Sequence, residues 1–74
     1  MDKPTLQARF GDAVRERRTK MGYSQDTFAD AISMHRAYYS SIERGERNLT
    51  IETMGRVAVG LKLKLAELMR LADI

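Results

Sequence analysis

Arg36, Ala37, Ser40 and Ser41 stand close together in the stretch His35-Arg36-Ala37-Tyr38-Tyr39-Ser40-Ser41-Ile42. On a helix they would share an outward face in which one arginine is ringed by short side chains. A guanidinium offers two parallel N–H groups, which match the O6 and N7 acceptors of guanine, and small neighbours let a helix seat deeply against base edges. Ala37 contributes only a methyl, suited to the methyl of thymine. The plainer alternative is a solvated arginine among neutral surface serines.

Side chains suited to the phosphate backbone flank this face. Gln25 opens the preceding helical stretch, where its side chain and the free N–H groups of that terminus can meet a phosphate. His35, at the start of the next, is read as a phosphate contact. It is not a catalytic base, because no nucleophile and orienting acid accompany it at recognisable spacing. Tyr38 can reach phosphate or sugar through its hydroxyl, whereas Tyr39 falls at the inward spacing. Arg47 and Asn48 follow the helix and can clamp the backbone, although Asn48 can equally organise the turn into Thr50.

Helices must position these groups, and the chain signals five. Thr5 caps a first helix to about Met21, with Leu6, Phe10, Ala13 and Val14 recurring at three- and four-residue steps, and Gly22 ends it. Ser24 caps a second, Gln25 to about Ile32, with Phe28, Ala29 and Ile32 inward. Ser33 and Met34 turn the chain into a third, about His35 to Glu43, stopped by Gly45. Thr50 caps a fourth, about Ile51 to Leu61, and a fifth fills about Leu65 to Ala72. The second and third helices are joined too tightly to pack side by side and must cross steeply, with small Ala29 allowing close approach. Five short helices with no strand signal make an all-α domain, with the tightly joined pair at about residues 25–43.

Composition narrows the function. Seventy-four residues make one domain, and so short a chain must spend most of its apolar residues on one core, leaving little for a catalytic cleft. There is no cysteine and a single histidine, His35, so neither a disulfide frame nor a zinc site is expected. No cofactor is implied. No apolar run approaches a membrane span, and the start, Met1-Asp2-Lys3-Pro4, lacks the apolar core of a secretion signal, so a cytoplasmic protein is expected. The net charge of +3 leans toward a polyanionic partner. Arg9, Arg15, Arg17, Arg18 and Lys20 outnumber Asp12 and Glu16 along the first helix, although a charged helix face is also the ordinary solvated one.

Across residues 8 to 71 the chain resembles the phage-repressor (Cro and lambda-repressor-like) helix-turn-helix family. The likeness rests on Arg18-Thr19-Lys20-Met21-Gly22-Tyr23-Ser24-Gln25, on Phe28-Ala29 and on Ser40-Ser41-Ile42-Glu43-Arg44-Gly45. Within that family, His35 to Asn48 looks most like the controller proteins of restriction-modification systems. The resemblance implies an all-α five-helix bundle with a helix-turn-helix motif at about residues 25–43, a third helix that reads DNA and a dimer that controls its own operon and the endonuclease gene. It also implies that Arg18 and Glu43 pair inside the domain. Three positions depart from the family pattern. Ser33 stands where glycine is usual in the turn, Ala37 replaces a base-contacting threonine, and Gly60 precedes the usual glycine position, here Lys62, by two residues.

The last segment, about 61–74, holds more apolar residues than one buried stripe can use. Leu65, Leu68, Met69 and Ala72 are therefore expected at a dimer interface. A two-fold dimer would set two third helices roughly 34 Å apart, each reading half of a palindrome. The expected partners are a double-stranded DNA operator and a second copy, with RNA polymerase added in the case of an activator. An antitoxin-type or phage-type repressor of the same fold is the alternative within the class. A protein-interaction module without DNA binding is the alternative outside it.

Overall fold

The computed structural model describes residues 4–74. Its elements are α1 (Leu6–Lys20), α2 (Gln25–Ala31), α3 (Arg36–Glu43), α4 (Ile51–Gly60) and α5 (Leu65–Leu71), with no strand among the described residues. Hydroxyl caps start three of them. The side chains of Thr5, Ser24 and Thr50 accept the backbone N–H of Ala8, Thr27 and Thr53 at 3.0–3.1 Å. His35 lies just outside α3, at its N-cap position, and its side chain makes no capping bond. In α5 the Lys64 N–H is met instead by the Glu67 carboxylate at 3.1 Å.

All five helices end alike. A residue of positive φ follows each, and the next N–H returns to a carbonyl five residues back. These bonds run from Tyr23 to Arg18, Met34 to Ala29, Glu46 to Ser41, Leu63 to Ala58 and Ile74 to Met69, at 2.9–3.3 Å. This is the Schellman closure, and it satisfies carbonyls that a helix end leaves open. Glycine fills the left-handed position in Gly22 and Gly45, but Ser33 (φ 55°), Lys62 (φ 59°) and Asp73 (φ 61°) carry a Cβ there. Ser33 and Lys62, two of the departures from the family pattern, thus keep the left-handed turn rather than altering it. Ser33→Gly and Lys62→Gly should each raise stability by up to about 1 kcal/mol, the relief of left-handed strain less the extra entropy of an unfolded glycine. Urea denaturation measures this, and an unchanged or lower midpoint would show that the serine or lysine sits there without strain.

The core joins Phe10 and Val14 of α1, Phe28 and Ala29 of α2, Tyr39 and Ile42 of α3, Val57 and Ala58 of α4, and Leu61 and Leu68 beyond. The Phe28 and Tyr39 rings lie 5.2 Å apart and clamp α2 onto α3. Helix α1 approaches the end of α3 so closely that a Cβ on Gly11 would fall 2.5 Å from the carbonyl oxygens of Ile42 and Glu43. Only glycine fits there without moving a backbone.

Two expectations need correction. Leu6 is exposed rather than inward. Leu68 (0% exposed) and Ala72 (5%) belong to the domain's own core and are not free for a partner, whereas Leu65 and Met69 are half-buried against it. Helix α5 docks by the face that carries Leu68 and Ala72, and the surplus apolar surface falls on Leu71 and Ile74. No helix among the described residues is long and apolar enough to cross a membrane.

Candidate nucleic-acid interface

Beneath the helix-turn-helix lies a buried ion pair. Arg18 of α1 grips Glu43 of α3 through two bonds, Nε to Oε2 at 2.6 Å and Nη2 to Oε1 at 3.1 Å, and its Nη1 donates to the Tyr23 carbonyl at 2.7 Å. The Tyr39 hydroxyl donates to Glu43 Oε2, and the Gln25 amide donates to Oε1 at 2.8 Å. The starts of α2 and α3's far end are thereby tied to α1 through one carboxylate. Burial pushes the Glu43 carboxyl upward, but the hydrogen bonds from Arg18, Tyr39 and Gln25 and the charge of Arg18 outweigh it and hold the group below the usual glutamate range. Burial likewise raises the Tyr39 phenol above its ordinary value. No buried side-chain nitrogen or oxygen among the described residues lacks a partner.

Above this anchor, α3 turns a narrow edge outward. Arg36 and Ala37 are exposed and Ser40 is half-exposed, with its hydroxyl accepting Arg44 Nη1 at 2.6 Å. Ser41, expected on the same edge, is buried (3% exposed). Its hydroxyl donates to the Tyr38 carbonyl at 2.6 Å and accepts Arg47 Nε at 2.9 Å. It therefore does not present a group to a base. One position along a helix turns the side chain by about 100°, and here that rotation carries position 41 from the groove side into the body.

Arg47 is exposed, and its guanidinium lies over the Tyr38 ring, 5.1 Å from the centroid. Through Ser41 and Tyr38 it is held against the end of α3. Asn48 is exposed and accepts a hydrogen bond from the Gln7 amide of α1. His35 is exposed at the entrance to α3. Gln25 already spends one N–H on Glu43, so that carboxylate orients it, and an amide nitrogen carries a second N–H to give.

The tertiary structure adds two residues that the reading of α3 alone missed. Asp30 meets Arg36 through both oxygens, Nη2 to Oδ2 at 2.9 Å and Nε to Oδ1 at 3.4 Å, and Asp26 approaches Nη1 at 3.4 Å. The exposed edge of α3 is free of acids in its own sequence, but α2 supplies them from across the turn. The four-residue spacing of Asp26 and Asp30, which puts both on one face of α2, is the signal that could have found them.

Two short helices crossing through a tight turn, the second presenting an arginine and small side chains to solvent, define a helix-turn-helix DNA-binding domain. The Helix-turn-helix family model matches residues 14–68, and the chain belongs to that family. It is 39% identical over 64 residues to the control protein C.MunI of Mycoplasma sp, covering 85% of this chain and 86% of that one. The restriction-modification controller protein C.AhdI from Aeromonas hydrophila superposes with a TM-score of 0.79 at 35% identity, over 84% of this chain and 94% of that one. The clp gene regulator ClgR from C. glutamicum does so with a TM-score of 0.92 at 26% identity, over 97% and 92%. The chain is thus a DNA-binding transcription regulator of the controller type, and not an enzyme.

Proposed function

We propose that this protein is the controller of a restriction-modification system, that it binds a palindromic operator as a homodimer, and that α3 reads each half-site. The observation that carries the reading is the exposed α3 edge, where Arg36 stands in the first turn beside Ala37 and Ser40, whose short side chains let the helix approach the major groove. Arg36 pairs with guanine, Ala37 packs on a thymine methyl, and Ser40 touches a base or phosphate. Gln25, His35, Tyr38, Arg47 and Asn48 hold the backbone on either side.

Dimerisation is supported by apolar surface outside α3. Leu6, Phe10, Leu49, Met54, Met69 and Ile74, together with the polar Gln7 and Arg47, line a shallow groove of about 240 Å³, with Leu6 and Ile74 well exposed beside it. The second copy covers this face. Leu65 and Met69 remain in the proposed interface, while Leu68 and Ala72 support it from within.

Selection of bound duplexes from a random library tests the proposal directly. The expected product is an inverted repeat whose half-sites contain a guanine and lie about one helical turn apart. Selected sites without two-fold symmetry would overturn the homodimer reading. On the selected duplex, Arg36→Ala should weaken binding roughly ten- to a hundredfold per half-site and relax the preference at one base pair in each. Gln25→Ala should weaken all sequences alike. Salt must be held constant, because phosphate contacts make every affinity depend on it. An Arg36→Ala protein that loses affinity evenly and keeps its full base preference would move Arg36 from reading to backbone binding.

A further inference from the structure

We infer that Asp30 is a positioning residue for Arg36, aiming its free edge at guanine, and that Asp26 holds the place that the base takes when DNA binds. The inference rests on Arg36 as the reading residue. A guanidinium has two edges able to make paired bonds, one formed by Nε and Nη2 and one by Nη1 and Nη2. Asp30 occupies the first with both oxygens, at 3.4 and 2.9 Å. The second edge points away from the backbone, and it is the one able to reach guanine O6 and N7 together. Its Nη1 touches only Asp26, through a single 3.4 Å contact.

The two aspartates therefore do different work. An exposed arginine samples many rotamers, and a restraint applied before binding removes part of the ordering cost that binding would otherwise meet. Asp30 supplies that restraint without covering the reading edge. Asp26 competes with the base for Nη1. Two carboxylates beside one guanidinium also leave a net charge of −1 at the entrance to α3, which repels the phosphates of every sequence alike. Only a duplex that offers two acceptors to Arg36 replaces the Asp26 contact and recovers that cost. Both carboxylates stand on α2 four residues apart, so the crossing of α2 and α3 at the Ser33 turn sets their distance from Arg36.

Fluorescence anisotropy of the full chain tests this with three labelled duplexes at one salt concentration. They are the duplex selected by the wild type, the same duplex with the contacted guanine changed to adenine, and a shuffled duplex of equal length. Asp30→Asn should cut discrimination between the first two by about three- to tenfold while leaving shuffled-duplex binding equal or tighter. Asp26→Asn should tighten the adenine-substituted and shuffled duplexes by a few-fold and the selected duplex less, because only there does guanine already replace the Asp26 contact. The aspartate side chains are well exposed, so circular dichroism of both variants should match the wild type. Asp30→Asn with undiminished discrimination, or the two variants shifting all duplexes by the same factor, overturns the proposal and leaves only general charge repulsion. Arg36→Ala in the same assay separates the two levels. If it too keeps discrimination, the reading of Arg36 as the guanine contact has failed. If it loses discrimination while Asp30→Asn does not, the role of Asp30 alone has failed.

Discussion

Glu43→Ala should leave most of the chain unfolded at neutral pH. Arg18 would lose both of its bonds to the carboxylate while remaining buried, and removing one partner of a buried pair costs about 3–5 kcal/mol. The total stability of a domain this size is of the same order. The loss extends to Tyr39 and Gln25, whose hydrogen bonds end on the same carboxylate, so the start of α2 and the end of α3 would part from α1 together. Replacing the whole pair, Arg18→Met with Glu43→Leu, should cost much less, because no charge is then stranded. Circular dichroism melts decide it, and a single alanine variant as stable as the wild type would mean that the pair is solvated.

The same carboxylate sets an acid limit on the fold. Its folded-state value lies below that of the unfolded chain, ordinarily about 4.3. Its contribution is complete above the unfolded value and is lost as pH falls through the folded one. Stability measured by denaturant titration should therefore stay level, as far as Glu43 is concerned, from pH 7 to about 5 and fall below that. A Glu43→Gln protein should show a shallower fall over the same range.

Leu68→Glu and Met69→Glu, adjacent substitutions of the same kind, should have opposite outcomes. Leu68 is wholly enclosed, so a carboxylate there loses the leucine's packing and is buried without a partner. The cost, upwards of about 4 kcal/mol, unfolds the protein. Met69 lies half-exposed beside the groove of Leu6, Met54 and Ile74, where a carboxylate reaches water in the monomer but would be buried by a second copy. That variant should stay helical, sediment as a monomer and bind the selected duplex far more weakly. A Met69→Glu protein that remains dimeric at micromolar concentration places the interface elsewhere. A folded Leu68→Glu protein would mean that α5 is not docked as described.

Local chemistry by itself determined the order and approximate limits of the five helices. The Thr5, Ser24 and Thr50 hydroxyls and the left-handed Gly22 and Gly45 act within a turn of their own positions, and so can be recognised without knowing what packs where. The inward spacing of Phe28, Tyr39 and Ile42 was legible for the same reason, as was the outward place of Arg36 and Ala37. Resemblance to the family supplied the pairing of Arg18 with Glu43, which a separation of 25 residues hides from any local argument. Four features were decided only by how the helices cross: the burial of Ser41, the capture of the Gln25 amide by Glu43, the turning of Leu68 and Ala72 into the core, and the grip of Asp26 and Asp30 on Arg36. Each depends on the rotation of one helix about its axis relative to another, and a single residue step of about 100° moves a side chain from solvent to core or from one partner to the next. Periodicity says that a helix has an apolar face. Which of its bordering residues fall inside that face is settled by close approaches such as Gly11 against the carbonyls of Ile42 and Glu43, where the absence of one carbon sets how near α1 and α3 can lie.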